Sequence, residues 1–218
     1  MKSFHSVNNK ITVDFRKFDL PISQSQALKI LHQHGFEFLT VDLVSQARQL
    51  IGVSKYKLDA PRSAAPSMVN CSSLMEYLFG LRGVELPPLS VYQAACGESM
   101  HLEHVGAEDL VFTPHGRNKN LYLENPDTTI GHVGMVTGDD TIIHAIPRQG
   151  VVEESTETFL GGKRKKYWAR RIIPKDDAII SLSCPENLQI RSQIDIWWLL
   201  MRTLPTSNTP LYAPRNLL

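Results

Sequence analysis

The shortages in this 218-residue sequence are the first guide to it. Only three cysteines are present, Cys71, Cys96 and Cys184, and they lie far apart without a C-x-x-C pair. They cannot all pair within one chain, which excludes a disulfide scaffold. Neither sign of charge dominates: 23 Lys and Arg stand against 22 Asp and Glu, so no long-range field gathers polyanions and nucleic acid is not expected as a ligand. The one basic cluster, Lys163-Arg164-Lys165-Lys166, reads as a solvated turn leading into a strand. Long hydrophobic runs are lacking as well. The longest near the C-terminus, Ile194 to Met201, is broken by Asp195 and is far shorter than the roughly twenty residues a bilayer requires, so no membrane span is expected. The first ten residues hold no apolar stretch of signal-peptide length, from which a cytoplasmic location is expected unless export follows a signal-independent route. No internal repeat is present at solenoid periods.

What is there is an ordinary globular mixture, 42% apolar and 21% charged, enough to bury a core. The order of patterns points to α+β. Lys10 to Phe15 alternates as a half-buried strand, and Ser23 to His34 carries Ala27, Leu28, Ile30 and Leu31 at helical spacing, so residues 1–40 read as an N-terminal extension. The main domain is expected over 41–173. It begins with a helix from Leu43 to Ile51 closed by Gly52, followed by a loop over Ser63 to Val69 and a buried helix over Cys71 to Leu81. After a short helix at Ser90 to Ala95, strands are expected at Leu110–Phe112, His132–Val136, Thr141–Ala145 and Tyr167–Ile173, with Gly138-Asp139-Asp140 as a hairpin turn. Residues 174–218 form a C-terminal extension with a helix around Leu188 to Met201 and an irregular tail.

A thiol attacks as thiolate, and a helix N-terminus beside an imidazole lowers its pKa. Cys71 opens a helix, where unpaired backbone N–H groups also offer donors to an oxyanion. His132 and His144 sit in neighbouring strand-like runs around the hairpin turn. Position 132 then faces about position 145, which puts His144 beside the direct partner of His132. If the rings meet, His144 accepts a hydrogen bond from one nitrogen of His132 and leaves the other for Cys71, a Cys-His-His triad.

These residues carry a family resemblance. Leu50-Ile51-Gly52, Tyr56-Lys57-Leu58, Asn70-Cys71-Ser72-Ser73, Glu108-Asp109-Leu110-Val111-Phe112, Gly131-His132-Val133-Gly134 and Ile143-His144-Ala145 follow in order the motifs of the NlpC-type cell-wall cysteine peptidases, and Trp168-Ala169-Arg170-Arg171 is similar to that family's closing strand. The resemblance implies a papain-like α+β fold, with helices packed on a central antiparallel sheet and the nucleophile at the start of a buried helix. It further implies hydrolysis of amide bonds in peptidoglycan stem peptides or muropeptides without a cofactor or metal. Tyr56 and Ser72 would then contact substrate. Asn70, Ser73 and Glu108 stand where the family has Asp, Gly and Gly, and 114–130 reads as an insertion.

Other readings stand beside this one. The same triad serves an acyltransferase or an effector acting on a protein or lipid amide. A module that has lost the chemistry keeps the same groove. Cys71, His132 and His144 are also a plausible zinc set, which metal analysis separates. A lone cysteine at a helix start often fills core space, and Cys96 and Cys184 read as structural thiols. His101 and His104, in H-x-x-H spacing, lack further ligands and read as surface residues. The sequence is silent on oligomeric state.

Overall fold

The computed structural model describes residues 5–114, 130–161 and 167–204. The basic cluster Lys163 to Lys166, the tail from 205 and nearly all of the 114–130 insertion lie outside the described residues.

In chain order the elements are β1 (Lys10–Asp14), α1 (Gln24–Gln33), β2 (Glu37–Phe38), α2 (Leu43–Arg48), β3 (Lys55–Tyr56), β4 (Met68–Val69), α3 (Cys71–Gly80), α4 (Ser90–Gln93), β5 (Glu98–Met100), β6 (Leu110–Pro114), β7 (Ile130–Val136), β8 (Thr141–Ile146), β9 (Gly150–Ser155), α5 (Thr156–Leu160), β10 (Trp168–Arg171), β11 (Ile179–Ser183) and α6 (Gln193–Thr203). The chain divides into two compact units, one built from 42–79 and 86–173, the other, over its described residues, from 5–41, 80–85 and 174–204.

The unit holding the terminal segments is a three-stranded antiparallel sheet in the order β1-β11-β2, with α1 and α6 as its helices. Alternation in β1 puts Ile11 and Val13 in a core with Leu31, Leu182, Ile196, Trp197 and Leu200. The helices start where capping residues stand. Ser23 and Gln26 cap α1 reciprocally, and the Asp195 carboxylate accepts the Ser192 N–H at the start of α6.

The other unit is α+β, with its main helices preceding a six-stranded antiparallel sheet in the order β5-β10-β6-β7-β8-β9. Leu110, Phe112, Val133, Met135, Ile143 and Ala145 share one face of the sheet and are fully buried. On the opposite face Val111, Val136, Ile142, Ala169 and Phe159 of α5 form a second cluster. Burial on both faces explains why these strands read as short continuous apolar runs.

The structure differs from the sequence reading in places. The supposed loop over 63–69 contains a 3-10 turn and the short strand β4, which pairs in parallel with β3. Strands β5, β9 and β11 were not expected; β9 hides behind Glu153-Glu154, a charged pair that breaks the apolar pattern. The helix expected to reach Ile51 ends at Arg48, and turns lead from it to Gly52, whose φ of +73° suits glycine.

Candidate active site

The site is organised around the first turn of α3. Asn70 and Ser73 cap that turn reciprocally: the Ser73 N–H donates to Asn70 Oδ1 at 2.8 Å, and the Asn70 N–H donates to Ser73 Oγ at 2.8 Å. Asn70 Nδ2 also donates to the Leu58 carbonyl at 2.8 Å, a bond that aspartate cannot make. The two departures from the family pattern at positions 70 and 73 are therefore a matched pair. Fully buried Gln93 of α4 adds a brace that sequence reasoning missed, its Nε2 donating to Ser72 O at 3.0 Å and Pro87 O at 2.8 Å.

Cys71 is the first residue of α3, buried but not sealed, with 9% of its surface accessible. Its sulfur lies against the backbone N–H groups of Val133, Ser72 and Cys71 itself. These donors favour thiolate, as expected at a helix start, but burial is the larger effect and pushes the thiol above its ordinary value. The helix N-terminus alone therefore does not make a resting thiolate, and a base must take the proton. Contact with the Val133 amide places the sulfur beside the residue that follows His132.

His132 Nε2 and His144 Nδ1 are 2.7 Å apart, a hydrogen bond that brings the two predicted imidazoles together. The register differs from the count made on sequence. Met135 faces Ile143 and Val136 faces Ile142, so the ladder carried outward sets His144 across from Gly134, and His132 reaches it diagonally on the same face. Gly134 makes room for this. A Cβ there would strike Ile142 and come within 2.8 Å of the Phe159 ring. Phe159 packs against both imidazoles, with centroid distances of 5.5 Å to His132 and 5.0 Å to His144. Behind them, His144 Nε2 lies 3.1 Å from Glu154 Oε1 and makes no hydrogen bond among the described residues. Burial holds His144 down at about 4 and pushes the Glu154 carboxyl up, so His144 is neutral at neutral pH. Phe159 and Glu154 carried no sequence motif that would have singled them out.

Tyr56 faces Val69 across the β3–β4 pair, and its hydroxyl is held protonated by burial and by the nearby Cys71 sulfur. Ser72, expected to contact substrate, follows Cys71 in the first turn of α3. Its hydroxyl is buried and donates to Pro88 O at 2.7 Å, with Asn70 Oδ1 at 3.1 Å, so it is occupied by the protein. Its backbone N–H faces the sulfur. The Glu108 departure has its own account: the residue adopts φ +70°, a conformation glycine takes freely, while its Oε1 accepts the Leu43 N–H at the start of α2 at 3.1 Å. Asp109 beside it holds Arg171 of β10 in a bidentate pair at 2.9 and 2.7 Å. The His101 and His104 rings meet edge to face at 6.2 Å. Among the described residues no three His, Cys, Asp or Glu side chains are grouped to hold a metal, and no helix is long and apolar enough to cross a membrane.

Residues 54–173, which include Tyr56, Cys71, His132 and His144, match the NlpC/P60 family. The chain belongs to the NlpC/P60 family. Its α+β unit has the papain-like arrangement of that family, with Cys71 opening a buried helix beside an antiparallel sheet. A curated relative, the probable endopeptidase of Haemophilus influenzae, is 31% identical over 103 residues, covering 47% of this chain and 54% of the relative. The chain thus spans about half the length of that relative. Among solved structures, NlpC2 from Trichomonas vaginalis is similar with a TM-score of 0.49 and 18% identity, covering 60% of this chain and 45% of that one. The peptidoglycan hydrolase RipB from Mycobacterium tuberculosis has a TM-score of 0.46 and 19% identity, covering 70% of this chain and 69% of that one.

Proposed function

We propose that this NlpC/P60 protein is a cysteine hydrolase that cleaves amide bonds in peptidoglycan stem peptides or their fragments, with Cys71 as nucleophile, His132 as general base and His144 as the residue that orients the base. The 2.7 Å bond between His132 Nε2 and His144 Nδ1 carries this reading, because it leaves Nδ1 of His132 to act on the thiol at the start of α3. The raised pKa of Cys71 makes proton transfer to His132 part of the attack itself. Sulfur adds to the amide carbonyl as His132 takes the thiol proton. The C–N bond then breaks, with that proton passing to the leaving amine, and a thioester forms. Water, deprotonated by His132, attacks the thioester and releases the carboxylate and the thiol. Tyr56, protonated and close to the sulfur, donates to the oxyanion or the substrate. No step calls for a metal or cofactor.

The test is incubation of the purified protein with muropeptides of defined composition and mass spectrometry of the products. Wild type is expected to release fragments cut at one amide, and Cys71→Ala to release none while keeping its circular dichroism spectrum. Cleavage by Cys71→Ala refutes the assignment, and transfer of the acyl group to an added amine in place of water identifies an acyltransferase.

A further inference from the structure

The hydrogen bond between the two histidines admits two arrangements of its proton, and only one leaves His132 able to act as a base toward Cys71. Either His132 Nε2–H donates to His144 Nδ1, or His144 Nδ1–H donates to His132 Nε2. In the second arrangement a neutral His132 carries its hydrogen on Nδ1 and has no lone pair for the thiol. The bond length of 2.7 Å is the same for both.

Glu154 distinguishes them. β8 and β9 pair with His144 opposite Val152 and Ile142 opposite Glu154, so Glu154 lies diagonally from His144 on the same face of the sheet. Its Oε1 comes within 3.1 Å of His144 Nε2, on the far side of the ring from His132. That nitrogen is buried, and among the described residues no other acceptor or donor meets it. A bare Nε2 lone pair at this distance from a carboxylate oxygen is repelled by it, whereas Nε2–H is attracted. A buried N–H also needs an acceptor, since one left unmet carries the full cost of its lost hydration. The Glu154 side chain is 27% exposed, against 4% for that of His144.

We infer that Glu154 is a positioning residue that fixes His144 as its Nε2–H tautomer, which makes His144 Nδ1 an acceptor, keeps the His132 hydrogen on Nε2 and turns the Nδ1 lone pair of His132 to the thiol. Its part in catalysis rests on the triad proposed above; its effect on the tautomer does not. The chain of groups runs Glu154, His144, His132, Cys71, with each member setting the proton position of the next. Carboxylates behind metal-bound histidines fix the tautomer in this way, and removing one commonly costs about ten- to hundred-fold in metal affinity or activity.

The experiment compares 15N-histidine-labelled wild type, Glu154→Gln and Glu154→Leu, reading ring-nitrogen shifts by NMR at pH 7.5 and the rate of Cys71 alkylation by iodoacetamide. Wild type is expected to show His144 as the Nε2–H tautomer. Glu154→Gln, which still offers a carbonyl oxygen, should retain that tautomer and alkylate within about threefold of wild type, whereas Glu154→Leu should lose the fixed tautomer and alkylate about tenfold more slowly. A merely structural role for the carboxylate would not move the ring-nitrogen shifts. Finding His144 as Nδ1–H in wild type overturns the inference even if the Leu variant fails to fold, and so does an unchanged tautomer in Glu154→Leu. Alkylation of Cys71 that is no slower in His132→Ala than in wild type counts instead against the triad, and the tautomer measurement still decides the role of Glu154.

Discussion

Asn70 and Ser73 exchange hydrogen bonds across the first turn of α3, each bond 2.8 Å long, and so fix the backbone on which Cys71 stands. A cap of this kind is worth about 1 kcal/mol. Asn70→Ala is expected to lose about that much stability in urea unfolding and to slow alkylation of Cys71, because the N–H groups facing the sulfur lose their alignment. Asn70→Asp keeps the acceptor but forfeits the Nδ2 bond to Leu58, and its stability should fall between Asn70→Ala and wild type.

Gly134 is a packing requirement of the histidine pair. Gly134→Ala drives a methyl group into Ile142 and the Phe159 ring, and overpacking of this kind costs about 1–3 kcal/mol. A lower Tm is expected together with slower thiol alkylation. Phe159→Leu, which gives back space, should restore part of the stability of Gly134→Ala if the clash is the cause.

Neutral His144 makes the protein sensitive to acid. Its value is about 4 in the folded chain against 6.5 ordinarily, so between those values the unfolded chain binds the proton more readily and stability rises with pH. The contribution is complete above about pH 6.5 and lost as pH falls through about 4, amounting to roughly 3 kcal/mol. Denaturant midpoints from pH 7.5 to pH 4 should therefore drop more steeply in wild type than in His144→Asn.

Asp109 and Arg171 tie the start of β6 to β10, with the carboxylate side chain 2% exposed. Asp109→Asn leaves a largely buried guanidinium without its counter-charge and is expected to cost about 3 kcal/mol. Arg171→Lys should recover only part of the native stability, since a lysine cannot make the paired contact. Chemical denaturation of the three proteins checks both.

Tyr56→Phe removes one hydroxyl near Cys71 and no apolar contact. A fall of about a hundredfold in kcat on a cleaved muropeptide, with Tm nearly unchanged, is expected if that hydroxyl serves the oxyanion. An unchanged kcat with raised KM would instead assign it to substrate binding.

The sequence by itself determined the nucleophile candidate, the two imidazoles and their order along the chain, because a helix start and alternating strands are written in local patterns. Tertiary structure alone decided the rest. Whether His132 meets His144 directly or diagonally depends on strand register, and a slip of one residue would send a ring to the other face of the sheet. Glu154, Phe159 and Gln93 reach the site across strand pairs and between helices, so nothing in their own neighbourhoods marks them. The balance at the Cys71 sulfur was also beyond the sequence. Its helix position favours thiolate, but the depth of burial that outweighs this is a property of the packed fold.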